Sequence, residues 1–69
     1  MTPIYLRIEY YRKRKGWSQS QLAQESGVNQ SIISRLESGE TQSVNLSNLH
    51  QLAQALEVPA AALIDERET

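Results

Sequence analysis

The 69-residue sequence contains no cysteine and a single histidine. Without thiols there is no disulfide framework and no thiolate metal site, a usage that suits a reducing cytoplasm. His50 cannot assemble a metal cluster alone. One histidine, no cysteine and acids mostly scattered on polar faces give nothing to assemble into a nucleophile–base pair or carboxylate dyad, so neither an enzyme nor a cofactor is expected. Long hydrophobic runs are also missing. The longest, Ala60 to Ile64, is far too short to span a bilayer. Because no charged-then-apolar leader opens the chain, the expectation is a cytoplasmic protein without a membrane partner. Strand-like alternation, repeats and low-complexity segments are absent as well. Residues 1–69 therefore read as one small all-α domain, its ends at 1–2 and 67–69 expected to fray. A chain of this size buries only about 60% of its unfolded surface, so its core is marginal unless packing is good or the chain oligomerises.

Net charge is −1, without the basic excess common among nucleic-acid binders. Its distribution is uneven. Residues 1–39 carry Arg7, Arg12, Lys13, Arg14, Lys15 and Arg35 against Glu9, Glu25 and Glu37, a net of +3. Residues 40–69 carry Arg67 against Glu40, Glu57, Asp65, Glu66 and Glu68, a net of −4. Local charge decides phosphate attraction, so the first half is compatible with a nucleic-acid surface that makes few phosphate contacts.

The three glycines and two prolines fall where helices must start or stop. Thr2 and Pro3 suit a first helix start, a capping hydroxyl followed by proline at the first helical position. Ile4, Ile8 and Tyr11 then form an inward stripe. Lys13, Arg14 and Lys15 complement the helix dipole before Gly16 ends the helix, and Trp17 can pack back over Tyr11. That cluster reads either as a well-solvated helix end or as one phosphate contact. Ser18 caps a second helix, with Gln21 placed to complete a capping box. Gly27 closes it in a left-handed conformation, and Val28 folds back toward Leu22 and Ala23. Asn29 caps a third helix that Gly39 ends. After a polar loop, Asn45 caps a fourth helix, with Val44 stapled onto Leu49 and an apolar stripe at Leu49, Leu52, Ala53 and Leu56. His50 lies beside that stripe. Val58-Pro59 breaks the chain, and Ala60 to Ile64 makes a short fifth helix with Leu63 and Ile64 turned inward.

At about 100° per residue, Gln30, Ser31, Ser34, Arg35 and Ser38 share one arc of the third helix. Ile32, Ile33, Leu36 and Glu37 occupy the other. Ile32 lies at its edge, placed either to cover a thymine methyl or to finish the core. The polar arc carries the side chains that read base edges in a major groove. Glutamine pairs twice with adenine, arginine forks onto guanine, and serine is short enough for close approach. Arginine at this point can also swing onto a phosphate.

The order SQ-x-x-LA-x-x-SGV-x-x-x-x-IS-R-LE-x-G, from Ser18 to Gly39, resembles the helix-turn-helix of the Cro and phage-repressor (XRE-like) regulators. The likeness extends over residues 4–64. It implies a compact five-helix DNA-binding domain with its helix-turn-helix at 18–38. Gln30, Ser31 and Arg35 match base-contacting positions, and Ser34 shares their face. Ser18, Gln19, Ser38 and Gln42 match backbone-phosphate positions, with Gln19 also placed to brace Gln30. Arg12 matches the arginine that pairs with the glutamate at Glu37, leaving part of its guanidinium near DNA. Glu40 departs from the basic loop of the stronger phage repressors, so weak monomer binding is expected, remedied by a homodimer on a palindromic operator. The implied function is sequence-specific binding of double-stranded DNA by a transcriptional repressor. The competing reading is an antitoxin-type module with a toxin partner on the same fold.

Overall fold

Among the described residues the chain forms five helices: α1 (Ile4–Arg14), α2 (Gln19–Ser26), α3 (Gln30–Ser38), α4 (Leu46–Leu56) and α5 (Ala60–Leu63). The computed structural model describes residues 4–41 and 44–64. The Thr2–Pro3 helix start, the side chain of Ile4, Gln42 and the segment 65–69 lie outside the described residues. Among those described there is no strand, and no helix is long and apolar enough to cross a membrane.

Three side-chain caps start helices as the residue types require. Ser18 Oγ accepts the Gln21 amide at 3.0 Å, Asn29 Oδ1 the Ser31 amide at 2.7 Å, and Asn45 Oδ1 the Asn48 amide at 2.7 Å. Each satisfies one of the orphan donors of a helix N-terminus. The expected capping box at Ser18 is only half formed. Gln21 does not reach back, because its Nε2 donates to Glu25 Oε2 at 2.8 Å, one turn further along the exposed face. The charge-assisted bond to Glu25 holds the Gln21 amide away from the Ser18 N–H, which its oxygen would accept in a closed box.

The α1 terminus is a Schellman motif. Gly16, at φ 74°, donates to the Lys13 carbonyl at 3.0 Å, and Trp17 donates to the Arg12 carbonyl at 3.2 Å. Helix α4 ends in the same pair of bonds without a glycine. Glu57 sits at φ 61°, its amide donating to the Gln54 carbonyl at 3.1 Å while Val58 donates to Ala53 at 3.0 Å. A left-handed residue bearing a Cβ costs about 1 kcal/mol. Glu57→Gly is therefore expected to stabilise the domain by about 1 kcal/mol, a rise in Tm of about 4–8 °C for this chain length. The ion pair it gives up, Lys15 Nζ to Glu57 Oε1 at 3.2 Å, is solvated on the glutamate side and contributes little. A melting temperature below wild type would mean that this pair outweighs the backbone relief.

The core is one cluster: Ile8, Leu22, Val28, Ile33, Leu36, Leu49, Leu52, Ala53, Leu56 and Leu63. Tyr11, Trp17, Ala23 and Val44 pack against it partly buried, as their spacing predicts. Helices α1 and α2 both pack on α3, α2 also meets α4, and α5 closes the far side on α1 and α4. Ile64 departs from expectation, standing 41% exposed. Helix α5 stops at Leu63, and the extended backbone of Ile64 (φ −103°, ψ 107°) turns its side chain off the face that buries Leu63.

Candidate nucleic-acid interface

Helix α3 is divided sharply between its two faces. Ile33 and Leu36 are fully buried, whereas Gln30, Ser31, Ser34, Arg35 and Ser38 are all exposed. The first four line a single open hollow of about 520 Å³. The Asn29 cap holds the first turn of this face, since Ser31 itself donates the capped amide. Arg35 lies back along its own helix, its Nε 3.4 Å from the Ser31 carbonyl. Ile32 packs partly buried against the core and also faces a neighbouring hollow with Arg35, Thr41, Val44, Asn45 and Asn48. It is a core-edge residue that borders the polar face.

The turn that sets α3 against α2 is tight. Gly27 has φ 79°, and a Cβ there would also meet Gln51 Nε2 at 3.4 Å. Ser26, 8% exposed, accepts the Val28 amide at 3.1 Å and so satisfies a donor that the turn would otherwise strand.

Beneath the polar face lies an ion pair whose hydrogen-bond network joins three helices. Arg12 Nε and Nη2 donate to Glu37 Oε2 and Oε1, both at 2.8 Å, a bidentate fork between α1 and α3. Arg12 and Glu37 are 8% and 9% exposed, so the pair is withdrawn from solvent. The remaining terminal nitrogen, Nη1, donates to the Trp17 carbonyl at 2.8 Å. Hydrogen bonding to Glu37 raises the Arg12 pKa above its ordinary value, against the opposing effect of burial. Gln19 Nε2 adds a further bond to Glu37 Oε1 at 2.9 Å and brings α2 into the network.

These contacts engage several of the residues expected to meet phosphates. Arg12, matched by resemblance to both an ion pair and a phosphate contact, has every nitrogen engaged inside the protein. It is first a structural residue, and a phosphate could be met only by its remaining N–H groups. Gln19 Nε2 is engaged by Glu37, a contact beside the brace of Gln30 that the resemblance implies. Ser38 Oγ closes the end of α3, donating to the Arg35 carbonyl and accepting the Glu40 amide, both at 3.3 Å. Ser18 is exposed, and its hydroxyl proton remains available to donate while the oxygen caps α2. Sequence reasoning missed the Gln19–Glu37 bond. One signal for it existed: a buried carboxylate has room for more donors than a single arginine fork supplies.

Two helices joined through a glycine turn, the second presenting a polar face over a buried core, define a helix-turn-helix domain of the phage-repressor architecture. The chain belongs to the helix-turn-helix family HTH_3, whose profile matches residues 8–63. It is similar to the HTH-type transcriptional regulator SlrR of Bacillus subtilis strain 168, with 43% identity over 58 residues, 84% of this chain and 38% of SlrR. It is 36% identical to the regulator SinR of the same organism over 61 residues, 88% of this chain and 55% of SinR. The chain thus spans about half or less of the length of these relatives. SinR in complex with DNA superposes with a TM-score of 0.87 at 35% identity, covering 90% of this chain and 98% of that one. The P22 c2 repressor bound to a synthetic operator superposes with a TM-score of 0.84 at 30% identity, covering 97% and 100%.

Proposed function

We propose that this chain is the DNA-reading domain of a sequence-specific transcriptional regulator that inserts α3 into the major groove of duplex DNA. The exposed face of α3 carries the reading: a glutamine, two serines and an arginine stand together on a helix anchored from below by a bidentate ion pair. In the groove, Gln30 pairs with adenine through N6 and N7, and Arg35 forks onto guanine O6 and N7. Ser31 and Ser34 allow the helix to sit close. Ser18 and the first amides of α2 face a phosphate, where donors and helix dipole act together. Gln19, Ser38 and Gln42 are assigned to further backbone phosphates by resemblance. The similarity to a regulator and a repressor, both solved with DNA, supports this reading.

With few cations on this surface, one domain binds weakly, and we assign the regulator a dimeric state on a palindromic operator, acting as a repressor. Recognition helices would then lie about 34–36 Å apart. Selection of bound duplexes from a random pool is the direct test. The expected product is a motif with two-fold symmetry whose half-sites are one helical turn apart. Recovery of no preferred sequence at low ionic strength would overturn DNA reading. A preferred but asymmetric motif, with a monomer in sedimentation at every concentration, would overturn the dimer alone.

A further inference from the structure

The C-terminal ends of α1 and α4 meet at a hollow of about 260 Å³ lined by Tyr11, Arg14, Lys15, Leu56, Glu57 and Val58. It lies at the opposite end of α4 from α3. Asn45 and Asn48, at the start of α4, border the hollow shared with Arg35, and the 11 residues of α4 carry the chain about 16 Å from there. A ligand in this second hollow would leave the exposed face of α3 accessible.

Its chemistry is specific. Tyr11 and Val58 pack partly buried on the core and supply an apolar floor with Leu56. Cations stand at the rim on aromatic supports. The Arg14 guanidinium lies 5.7 Å from the centroid of Tyr10, which meets Tyr11 edge-on at 5.0 Å, and Lys15 Nζ lies 5.0 Å over Trp17. Rings that hold long cationic side chains in place reduce the ordering cost of using them in binding. Lys15 already holds the carboxylate of Glu57. Arg14, exposed, has no carboxylate partner among the described residues.

We propose that this hollow docks an acidic peptide segment of a partner protein, with a carboxylate on Arg14 and an apolar side chain on Tyr11 and Val58. A volume below the usual 300 Å³ or more of small-molecule sites suits one or two side chains. A phosphate backbone is disfavoured by the apolar floor, which offers it no donors. Tyrosine, tryptophan and arginine together are the residue types that anchor protein interfaces.

The test uses the full chain, isotopically labelled, titrated at low salt with the blocked peptide Asp-Glu-Leu-Asp-Glu-Leu and with its Asn/Gln counterpart. Amide shifts are expected at Arg14, Lys15, Glu57 and Val58 with α3 unmoved, and at least about tenfold weaker binding of the neutral peptide. Arg14→Glu is expected to abolish the acidic-peptide shifts while leaving the melting temperature and the base preference of duplex binding unchanged. Equal binding of both peptides, shifts centred on α3, or no shift at millimolar peptide would overturn the proposal. So would a uniform loss of duplex affinity in Arg14→Glu with a shallower salt dependence, because the cluster would then be a phosphate contact.

Discussion

Arg12→Ala is expected to leave the domain largely unfolded at 37 °C. Removing one partner of a buried ion pair destabilises by about 3–5 kcal/mol, because the other charge stays buried without its counter-ion. Small domains have total stabilities near the low end of about 5–15 kcal/mol, so such a loss consumes most of the margin. Here Glu37, with a side chain only 5% exposed, would keep a single donor from Gln19. The Trp17 carbonyl would also lose its partner at the junction of α1 and α2. Thermal or urea denaturation reads the effect directly, and a melting temperature within a few degrees of wild type would mean that water screens the pair. Glu37→Gln keeps shape and one acceptor but strands the guanidinium, so it too should lower stability. The double variant Arg12→Met with Glu37→Leu separates stability from organisation. An apolar pair of similar volume is often neutral or stabilising, so its melting temperature should recover toward wild type. Gln19 would then have no Glu37 acceptor. If Gln19 positions α2 against α3 through that bond, duplex affinity should stay reduced even though folding is restored.

The sequence carried most of this architecture because helix ends are local events. Gly16, Gly27 and Gly39 all adopt positive φ, and Ser18, Asn29 and Asn45 all cap, since each requirement depends on a few neighbouring residues. The buried and exposed sides of α3 followed from helical spacing alone. Three features were not legible in the same way. Glu57 takes a left-handed conformation that its residue type disfavours; only the tertiary need to turn Val58 onto the core demands it. Gln21 had two partners within reach, and sequence spacing does not rank the Ser18 N–H, which its amide oxygen could accept, against the Glu25 carboxylate, to which its amide nitrogen donates. Ile64 looked like a core residue by hydropathy, but the short α5 ends one residue too soon to bury it. The Arg12–Glu37 fork was implied by family resemblance rather than by pattern. Twenty-five positions separate the partners, and only the packing of α1 on α3 brings them together. Gln19 entered the network for the same reason, as a residue of α2 facing a carboxylate whose position α3 sets.

On the proposed reading, replacing Gln30 and Arg35 together by alanine should reduce affinity for a selected duplex by about 2–6 kcal/mol, roughly thirtyfold to 10⁴-fold. Each bidentate base contact discriminates by about 1–3 kcal/mol, and two contacts to separate base pairs add approximately. Both side chains are exposed and neither supports the core, so the melting temperature should hold. The form of the loss is more informative than its size. Base contacts do not release counterions, so the dependence of affinity on salt should keep its slope while preference relaxes at the two contacted positions. Arg35 is the more exacting half of this test. Its guanidinium lies along the helix with Nε near the Ser31 carbonyl, and it must swing outward to fork onto a guanine. An outward swing could equally end on a phosphate, and Arg35→Ala alone distinguishes the two. Loss confined to one base pair at constant salt slope identifies the base contact. Equal loss on every sequence, with a shallower slope, assigns Arg35 to the backbone and leaves Gln30 as the main specific reader on α3.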